Sequence, residues 1–196
     1  MKRLFSWLAA LLLSATALQA QEAPKWKIDQ SHTSVNFVAT HFFSDVPGSF
    51  HTFSGDFRID PENMAASTLH FTVQVKSVDT DNEKRDQHLR GEDFFHVSEY
   101  PTITFRSSEI EQTGKNQYKV YGKLSIREVS KQVALPITVK GVMDHPMMKN
   151  TKILGLSIDT TLDRTEYNVG VGDWAATAVV GDEVEVDIDM ELNRKY

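Results

Sequence analysis

A period of two in hydropathy runs through most of the chain. Apolar side chains occupy every second position of residues 184–192, and acidic side chains occupy the positions between them. Successive side chains of a β-strand point to opposite faces, so this alternation predicts a strand with one apolar and one polar face. The same pattern recurs in residues 35–41, 69–75, 133–139 and 154–162. A chain with so many half-apolar strands is expected to adopt an all-β architecture.

Shorter segments bring the predicted number of strands to about eight or nine. They lie at residues 26–28, 53–57, 103–105 and 118–126. Short connections between consecutive strands favour an antiparallel meander, and a sheet of this size must close or stack to avoid open edges. We therefore predict a closed antiparallel barrel of about eight strands, whose lumen holds side chains or one small ligand.

Turn-forming residues separate the predicted strands. Proline, glycine and aspartate in adjacent positions mark such turns. The turns are predicted at Pro47-Gly48, Asp60-Pro61, Thr113-Gly114, Asp144-His145-Pro146 and Gly181-Asp182.

One polar segment interrupts the alternation and predicts a short helical crossover at one end of the barrel. Thr80 and Glu83 have the spacing of a capping box, with Thr80 as the cap. Residues 84–90 are strongly polar, and Gly91 suits the end of a helix. Residues 93–97 then predict a second short turn.

The first twenty residues have the layout of a secretory signal peptide. Basic residues precede the apolar run 4–13, and small residues up to Ala20 follow it. The run is shorter than the ~20 residues that a membrane-spanning helix needs. We therefore expect residues 1–20 to be cleaved, with Ala17 as an alternative cleavage point, and residues 21–196 to form one domain. The expected location is the periplasm, with secretion as a further route.

Composition excludes several kinds of chemistry. The chain has no cysteine, so it forms no disulfide, thiolate nucleophile or cysteine-held metal site. Its net charge of −6 becomes more negative when the two basic residues of the leader are removed. This acidity argues against a nucleic-acid partner, which requires a basic surface.

Linked motifs run through nearly the whole chain after residue 25. The most specific are Ser77-Val78-Asp79-Thr80 and Arg85-Asp86-Gln87-His88-Leu89-Arg90. Others lie at residues 26–29, 32–37, 48–57, 93–95, 100–105, 122–126, 163–170 and 180–184. Together these motifs resemble the YceI-like family. The resemblance implies a lipocalin-like barrel that holds a long apolar chain, such as a polyisoprenoid, a quinone-like lipid or a fatty-acid amide, with no other cofactor. It also implies that dimers occur.

The wall of the expected cavity comes from the inward-facing strand positions and one loop aromatic. Burial contributes about 0.8 kcal/mol per methylene group, so an apolar chain can bind without charged contacts. The alternative is that these side chains simply fill the lumen of a small barrel. The candidate ligand-binding residues are Val35, Phe37, Leu69, Phe71, Val73, Phe94, Ile103, Phe105, Val133, Leu135, Ile158 and Val186.

Three polar residues are candidates for a gate or an anchor. Arg85 and His88 share the predicted helix, where they would either contact a ligand head group or pin the crossover to the barrel through charge pairs, with Arg164 as one partner. Arg164 ends an inward-facing set of side chains, where an arginine reaches the mouth or pairs with a carboxylate. The seven histidines lack the spacing of zinc metalloproteases, and we expect no metal site.

Loop aromatic residues have two interpretations. They form the cavity mouth or contact the membrane from which a ligand is drawn, or they pack the loops onto the barrel ends. These residues are Phe42, Phe43, Phe50, Phe94, Phe95 and Trp174.

The sequence favours an exported lipid-binding protein without catalytic residues. Its expected partner is an apolar-chain lipid, with a transient membrane contact and a homodimer as further expectations. A small outer-membrane barrel is one alternative, favoured by the leader and the alternation but not by the polar helix. An enzyme acting on an isoprenoid lipid is the other, although no Gly-x-Ser-x-Gly motif or phosphate-binding loop is present.

Overall fold

Antiparallel strands make up most of residues 22–196, the part of the chain that the computed structural model describes. The predicted signal peptide lies outside these residues. The strands are β1 (Lys25–Ile28), β2 (Ser34–His41), β3 (Ser44–Phe50), β4 (Phe53–Arg58), β5 (Thr68–Gln74), β6 (Val78–Asp79), β7 (Thr102–Gly114), β8 (Gln117–Ile126), β9 (Val129–Asp144), β10 (Thr151–Asp163) and β11 (Val180–Lys195). One α-helix, α1 (Glu83–Arg90), and 3-10 turns at Met64–Ala66, Val75–Ser77, Thr165–Tyr167 and Gly172–Ala175 complete the described elements.

The sheet closes into a ring because its first strand, β1, pairs with its last strand, β11. Neighbouring strands follow the order β1-β4-β5-β7-β8-β9-β10-β11, and Ile28 of β1 pairs with Leu192 of β11 to close the ring. Three further strands continue the sheet from the other half of β11. There β11 pairs with β2, β2 with β3 and β3 with β6. The prediction of a closed eight-stranded antiparallel barrel is therefore confirmed.

Three predicted turns are wrong, because the residues lie inside strands. Thr113-Gly114 forms the last two residues of β7, and the turn follows at Lys115-Asn116. Pro47-Gly48 falls within β3, which pairs only with β2 over residues 44–48. Proline is tolerated at such an edge because its missing N–H need not join a ladder. Gly181-Asp182 lies at the start of β11, where the pairing with β2 shifts register between Val180 and Val184. The same residue types favour turns and strand irregularities.

The predicted capping box is also wrong, although the helix exists. Asn82 caps α1, and its side-chain oxygen accepts a hydrogen bond from the N–H of Arg85 at 3.1 Å. Thr80 instead directs both its N–H and its hydroxyl to the buried carboxylate of Asp86, at 2.9 and 2.6 Å. Gly91 ends the helix as predicted.

A packed core closes the end of the barrel where β1 meets the last residues of β11. Trp26 is 1% exposed, and its indole N–H donates to the carbonyl of Ile59 at 2.8 Å. Leu154 and Leu192 are fully buried beside it. The opposite end is covered by α1 and by residues 164–179. Within residues 22–196, no helix is long and apolar enough to cross a membrane.

Candidate functional site

An apolar cavity occupies the interior of the barrel. Its volume is about 130 Å³, and its wall is apolar apart from Asn36 and Thr160. The inward-facing side chains of Phe37, Phe71 and Ile158 are only partly buried. They remain accessible because the lumen is not filled by the barrel's own side chains. A concave apolar space of this kind is typical of a small-molecule site.

Most of the predicted cavity residues lie in this wall. Phe94 lies farther out, beneath α1 and at the opening. The wall contains Val35, Phe37, Leu69, Phe71, Val73, Ile103, Phe105, Leu135, Ile158 and Val186.

Val133 is the exception, and its placement in the wall is wrong. It packs against the core and does not reach the inner cavity. Its cross-strand partner is Gly122. The ring of Phe105 covers Gly122 so closely that a Cβ atom there would stand 2.6 Å from Phe105 Cζ. The aromatic ring therefore occupies the space beside Val133.

Other wall residues did not appear among the candidates. Many of them lie at alternating positions of the same strands as the predicted wall residues. On β10, for example, Leu156 and Leu162 lie on the same face as Ile158. Alternation would have found these residues, whereas Phe50 was hidden by the predicted turn before it. The additional wall residues are Asn36, Phe50, Phe57, Leu124, Ile126, Ile137, Leu156, Thr160, Leu162, Ile188 and Met190.

Three adjacent spaces, which together we call the apolar passage, lead from the inner cavity toward the surface, and neighbouring spaces share wall residues. Phe37 and Ile103 border both the inner cavity and a second chamber beneath α1. Leu89 and Phe94 border both this chamber and an opening between α1, the β2–β3 hairpin and Trp174. We call this opening the mouth. Phe37 borders all three spaces and therefore lies at their junction.

Arg85 and His88 line the mouth, and each is held by neighbouring groups. The guanidinium of Arg85 donates to the hydroxyl and the carbonyl of Thr80, at 2.7 and 2.6 Å. Nε2 of His88 lies 3.2 Å from a carboxylate oxygen of Asp93. The imidazole also packs edge-on against Trp174, with 4.9 Å between ring centroids. Both residues therefore anchor α1 while they face the opening.

Arg164 is buried and holds the loop that covers the barrel end. Its guanidinium donates to the carbonyls of Val169, Gly170, Trp174, Val180 and Gly181 at 2.6–3.3 Å. Among the ion pairs of the described residues, none includes Arg164, so the pairing with a carboxylate, one of the two alternatives for this residue, is not found there. Burial lowers the pKa of this guanidinium, and the carbonyl oxygens stabilise its charge.

Gly170 is required by this arrangement. Its φ of +84° lies in the left-handed region, and a Cβ atom there would stand 2.2 Å from Nη1 of Arg164. Only glycine meets both conditions without strain.

One cluster outside the cavity wall has atoms suited to a metal ion. Within residues 22–196, the ligand atoms of Asp29, His32 and Glu191 lie within 4.8 Å of one another. A hydrogen bond to Asp29, together with both carboxylate charges, raises the pKa of His32. Burial acts to raise the pKa of Asp29, but hydrogen bonds from His32 and Ser31 bring it below its usual value. His32 therefore joins the two carboxylates, with Nδ1 at 3.2 Å from an oxygen of Asp29 and 4.0 Å from one of Glu191.

Sequence comparison identifies the family. The chain matches the YceI-like domain over residues 26–192. It belongs to the YceI-like family. A UPF0312 protein of Vibrio cholerae is 31% identical over 171 residues, which cover 86% of this chain and 88% of that protein.

Solved structures share this YceI-like barrel. The crystal structure of BcnA from Burkholderia cenocepacia is similar with a TM-score of 0.74 and 29% identity, over 84% of this chain and 98% of that chain. A polyisoprenoid binding domain from Saccharophagus degradans has a TM-score of 0.64 over 85% of this chain and 97% of its own. At 15% identity this second likeness concerns the fold alone.

Proposed function

We propose that this protein is an exported lipid-binding protein that holds one long apolar chain in the barrel for transport, storage or sequestration. The observation that carries this proposal is the open apolar cavity joined to the surface by an apolar passage. Each buried methylene group of a ligand contributes about 0.8 kcal/mol, so chain length alone provides affinity. A polyisoprenoid, a quinone-like lipid or a fatty-acid amide fits this chemistry.

The related structures and the leader support this proposal. The Saccharophagus degradans neighbour is named as a polyisoprenoid binding domain and shares the barrel. The leader-like first twenty residues favour export to the periplasm, with secretion as an alternative. A domain of this length can bury enough apolar surface to fold without disulfides there. A homodimer stays a prediction.

The distribution of polarity favours a ligand inside the barrel over lipid outside it. The outward face of β11 carries Glu183, Glu185, Asp187, Asp189 and Glu191, while apolar side chains face the lumen. A barrel embedded in an outer membrane has the reverse pattern, with an apolar outer band and a polar interior.

The cavity wall favours binding without catalysis. Among the described wall residues of the inner cavity, Asn36 and Thr160 are polar and neither is a general acid or base at neutral pH. We therefore expect bound lipid to leave the protein chemically unchanged.

The decisive experiment is organic extraction of natively purified protein, followed by mass spectrometry of the extract. We expect a stoichiometric lipid with a long apolar chain. Protein purified from several host membranes that yields no lipid would contradict the proposal. The extracted lipid is then returned to emptied protein and incubated, and conversion to a new species that requires His88 would support the enzymatic alternative instead.

A further inference from the structure

The turn between β2 and β3 is made entirely of two phenylalanines. His41 pairs with Ser44, so Phe42 and Phe43 are the whole loop. Two-residue hairpin loops favour asparagine and glycine because one or both of their positions need a positive φ, and in this loop that position is Phe42. Phe42 has a φ of 53°, which is unusual and strained for a bulky side chain.

Both rings of this turn lie in water. Phe42 is 56% exposed and Phe43 is fully exposed. Phe42 packs edge-on against His41, with 4.6 Å between ring centroids. Rings that are this exposed contribute little to folding, and an Asn-Gly turn would adopt the conformation more easily. Departures from local rules of this kind are expected at functional positions.

The hairpin that carries the two rings forms one side of the mouth. Thr40, His41 and Val46 line the mouth from the hairpin, opposite Arg85 and His88 of α1. The turn therefore stands at the point where the apolar passage reaches the surface.

We propose that Phe42 and Phe43 insert into the surface of a phospholipid bilayer and hold the mouth against it while an apolar chain enters or leaves the barrel. This inference rests on the proposed function. A chain that moves directly between bilayer and barrel avoids exposing its methylene groups to water. Two rings provide weak, reversible attachment, as a carrier that must leave the membrane requires.

The shape of the tip favours a bilayer over a protein partner. A stable protein interface buries roughly 800 Å² on each side, whereas this tip offers two side chains on a narrow hairpin. Charges around the mouth are mixed, with Lys84 and Arg85 on α1 and Asp45 on β3. The chain as a whole is acidic. We therefore expect aromatic insertion to dominate, with little dependence on anionic lipid or salt.

The test is flotation of the protein with phosphatidylcholine vesicles and with vesicles of phosphatidylethanolamine and phosphatidylglycerol. The wild-type protein is expected to float with both. The double variant Phe42→Asn with Phe43→Gly is expected to lose most of this binding while its melting temperature stays equal or rises, because Asn-Gly suits the turn. The matched control is Met147→Ser with Met148→Ser on the β9–β10 hairpin, where the two methionines are also exposed. This control should float like the wild type.

Other outcomes separate the inference from the proposed function. The inference would be overturned if the wild type did not float or if the Asn-Gly variant floated equally well. The proposed function would stand in that case if the organic extract still contained a lipid. If the wild type floats, the Asn-Gly variant does not, and no extract of the protein contains lipid, the proposed function alone would be overturned. A wild-type dimer that the Asn-Gly variant converts to monomer, without a change in vesicle binding, would make a second copy the occupant and also overturn the inference.

Discussion

The ring of Phe37 lies directly over Gly48, its cross-strand partner on β3. A Cβ atom at Gly48 would stand 2.3 Å from Phe37 Cζ. Because Phe37 borders the inner cavity, the chamber beneath α1 and the mouth, the absence of a side chain at position 48 determines where this ring stands in the passage.

Gly48→Ala is therefore expected to push the ring of Phe37 out of its place and narrow the passage. Lipid exchange should slow by about tenfold, which corresponds to ~1.4 kcal/mol of barrier, while stability falls by about 1 kcal/mol. Transfer of a fluorescent prenyl-chain analogue between protein and vesicles measures the rate. Gly141→Ala is the control, since a Cβ atom there meets nothing within 4 Å. Adding Phe37→Leu to the Gly48→Ala variant should restore the rate, and unchanged exchange in folded Gly48→Ala protein would refute the prediction.

Phe71→Asp is expected to abolish lipid binding. Phe71 lines the cavity and packs near Phe57, with 6.2 Å between ring centroids. A carboxylate at position 71 would face an apolar wall without a partner. It would therefore lower both the affinity for an apolar chain and the stability of the fold. The matched control Thr72→Asp places the same charge on the outward face of β5. Circular dichroism checks folding, and extraction with mass spectrometry measures bound lipid.

A milder substitution keeps this test informative if Phe71→Asp fails to fold. Ile158→Thr adds one hydroxyl to the wall with little change in shape, and we expect lipid affinity to fall by about 1–3 kcal/mol. Undiminished lipid binding in both folded variants would show that the ligand lies elsewhere.

Arg164→Ala is expected to destabilise the domain by about 2–4 kcal/mol, because several buried carbonyl groups lose a charged donor. Arg164→Lys should recover only part of this loss, since an ammonium group cannot reproduce the planar fork of a guanidinium. Urea unfolding measures both variants. The control Arg106→Lys changes an exposed arginine on β7 and should be nearly neutral. Equal stability of Arg164→Lys and wild type would contradict the anchoring role.

Asp187→Asn is expected to stabilise the protein at neutral pH. Asp187 lies opposite Asp159 on neighbouring strands. The hydrogen bond from Asp187 has the largest effect on Asp159. Burial of Asp159 and the charge of Asp187 add to it, and together they raise the pKa of Asp159. A carboxyl group whose pKa is raised by folding favours the folded state at low pH, and this contribution disappears as pH rises through that pKa. At pH 7 the two charges repel each other.

The gain from Asp187→Asn should be at most about 1 kcal/mol, because the pair is exposed to solvent. Melting temperatures at pH 7 and pH 4 measure it, and the advantage over wild type should shrink at the lower pH. Glu185→Gln removes one charge from the same face but lies opposite Thr161, so it controls for net charge. An equal gain from Glu185→Gln would show that this particular pair is not the cause.

Local pattern was a good guide to the strands and a poor one to their ends. Val186, Ile188 and Met190 alternate along β11, and all three face the cavity as the period of two predicts. Pro47-Gly48 misled because the same dipeptide suits a turn and an edge strand, and only the neighbouring strand decides between them. The partners of Arg164 were also beyond local pattern, since they are main-chain carbonyls of a loop whose path depends on the fold.

The sequence by itself determined the all-β class, most of the strands and the face on which their side chains lie, because side-chain direction along a strand depends only on position in the chain. The tertiary structure alone decided which inward side chains reach the cavity. Val133 and Leu135 share one face of β9, yet only Leu135 lines the cavity. Whether the lumen stays open depends on how rings such as Phe37 and Phe105 pack across strands, and such packing joins residues far apart in the sequence.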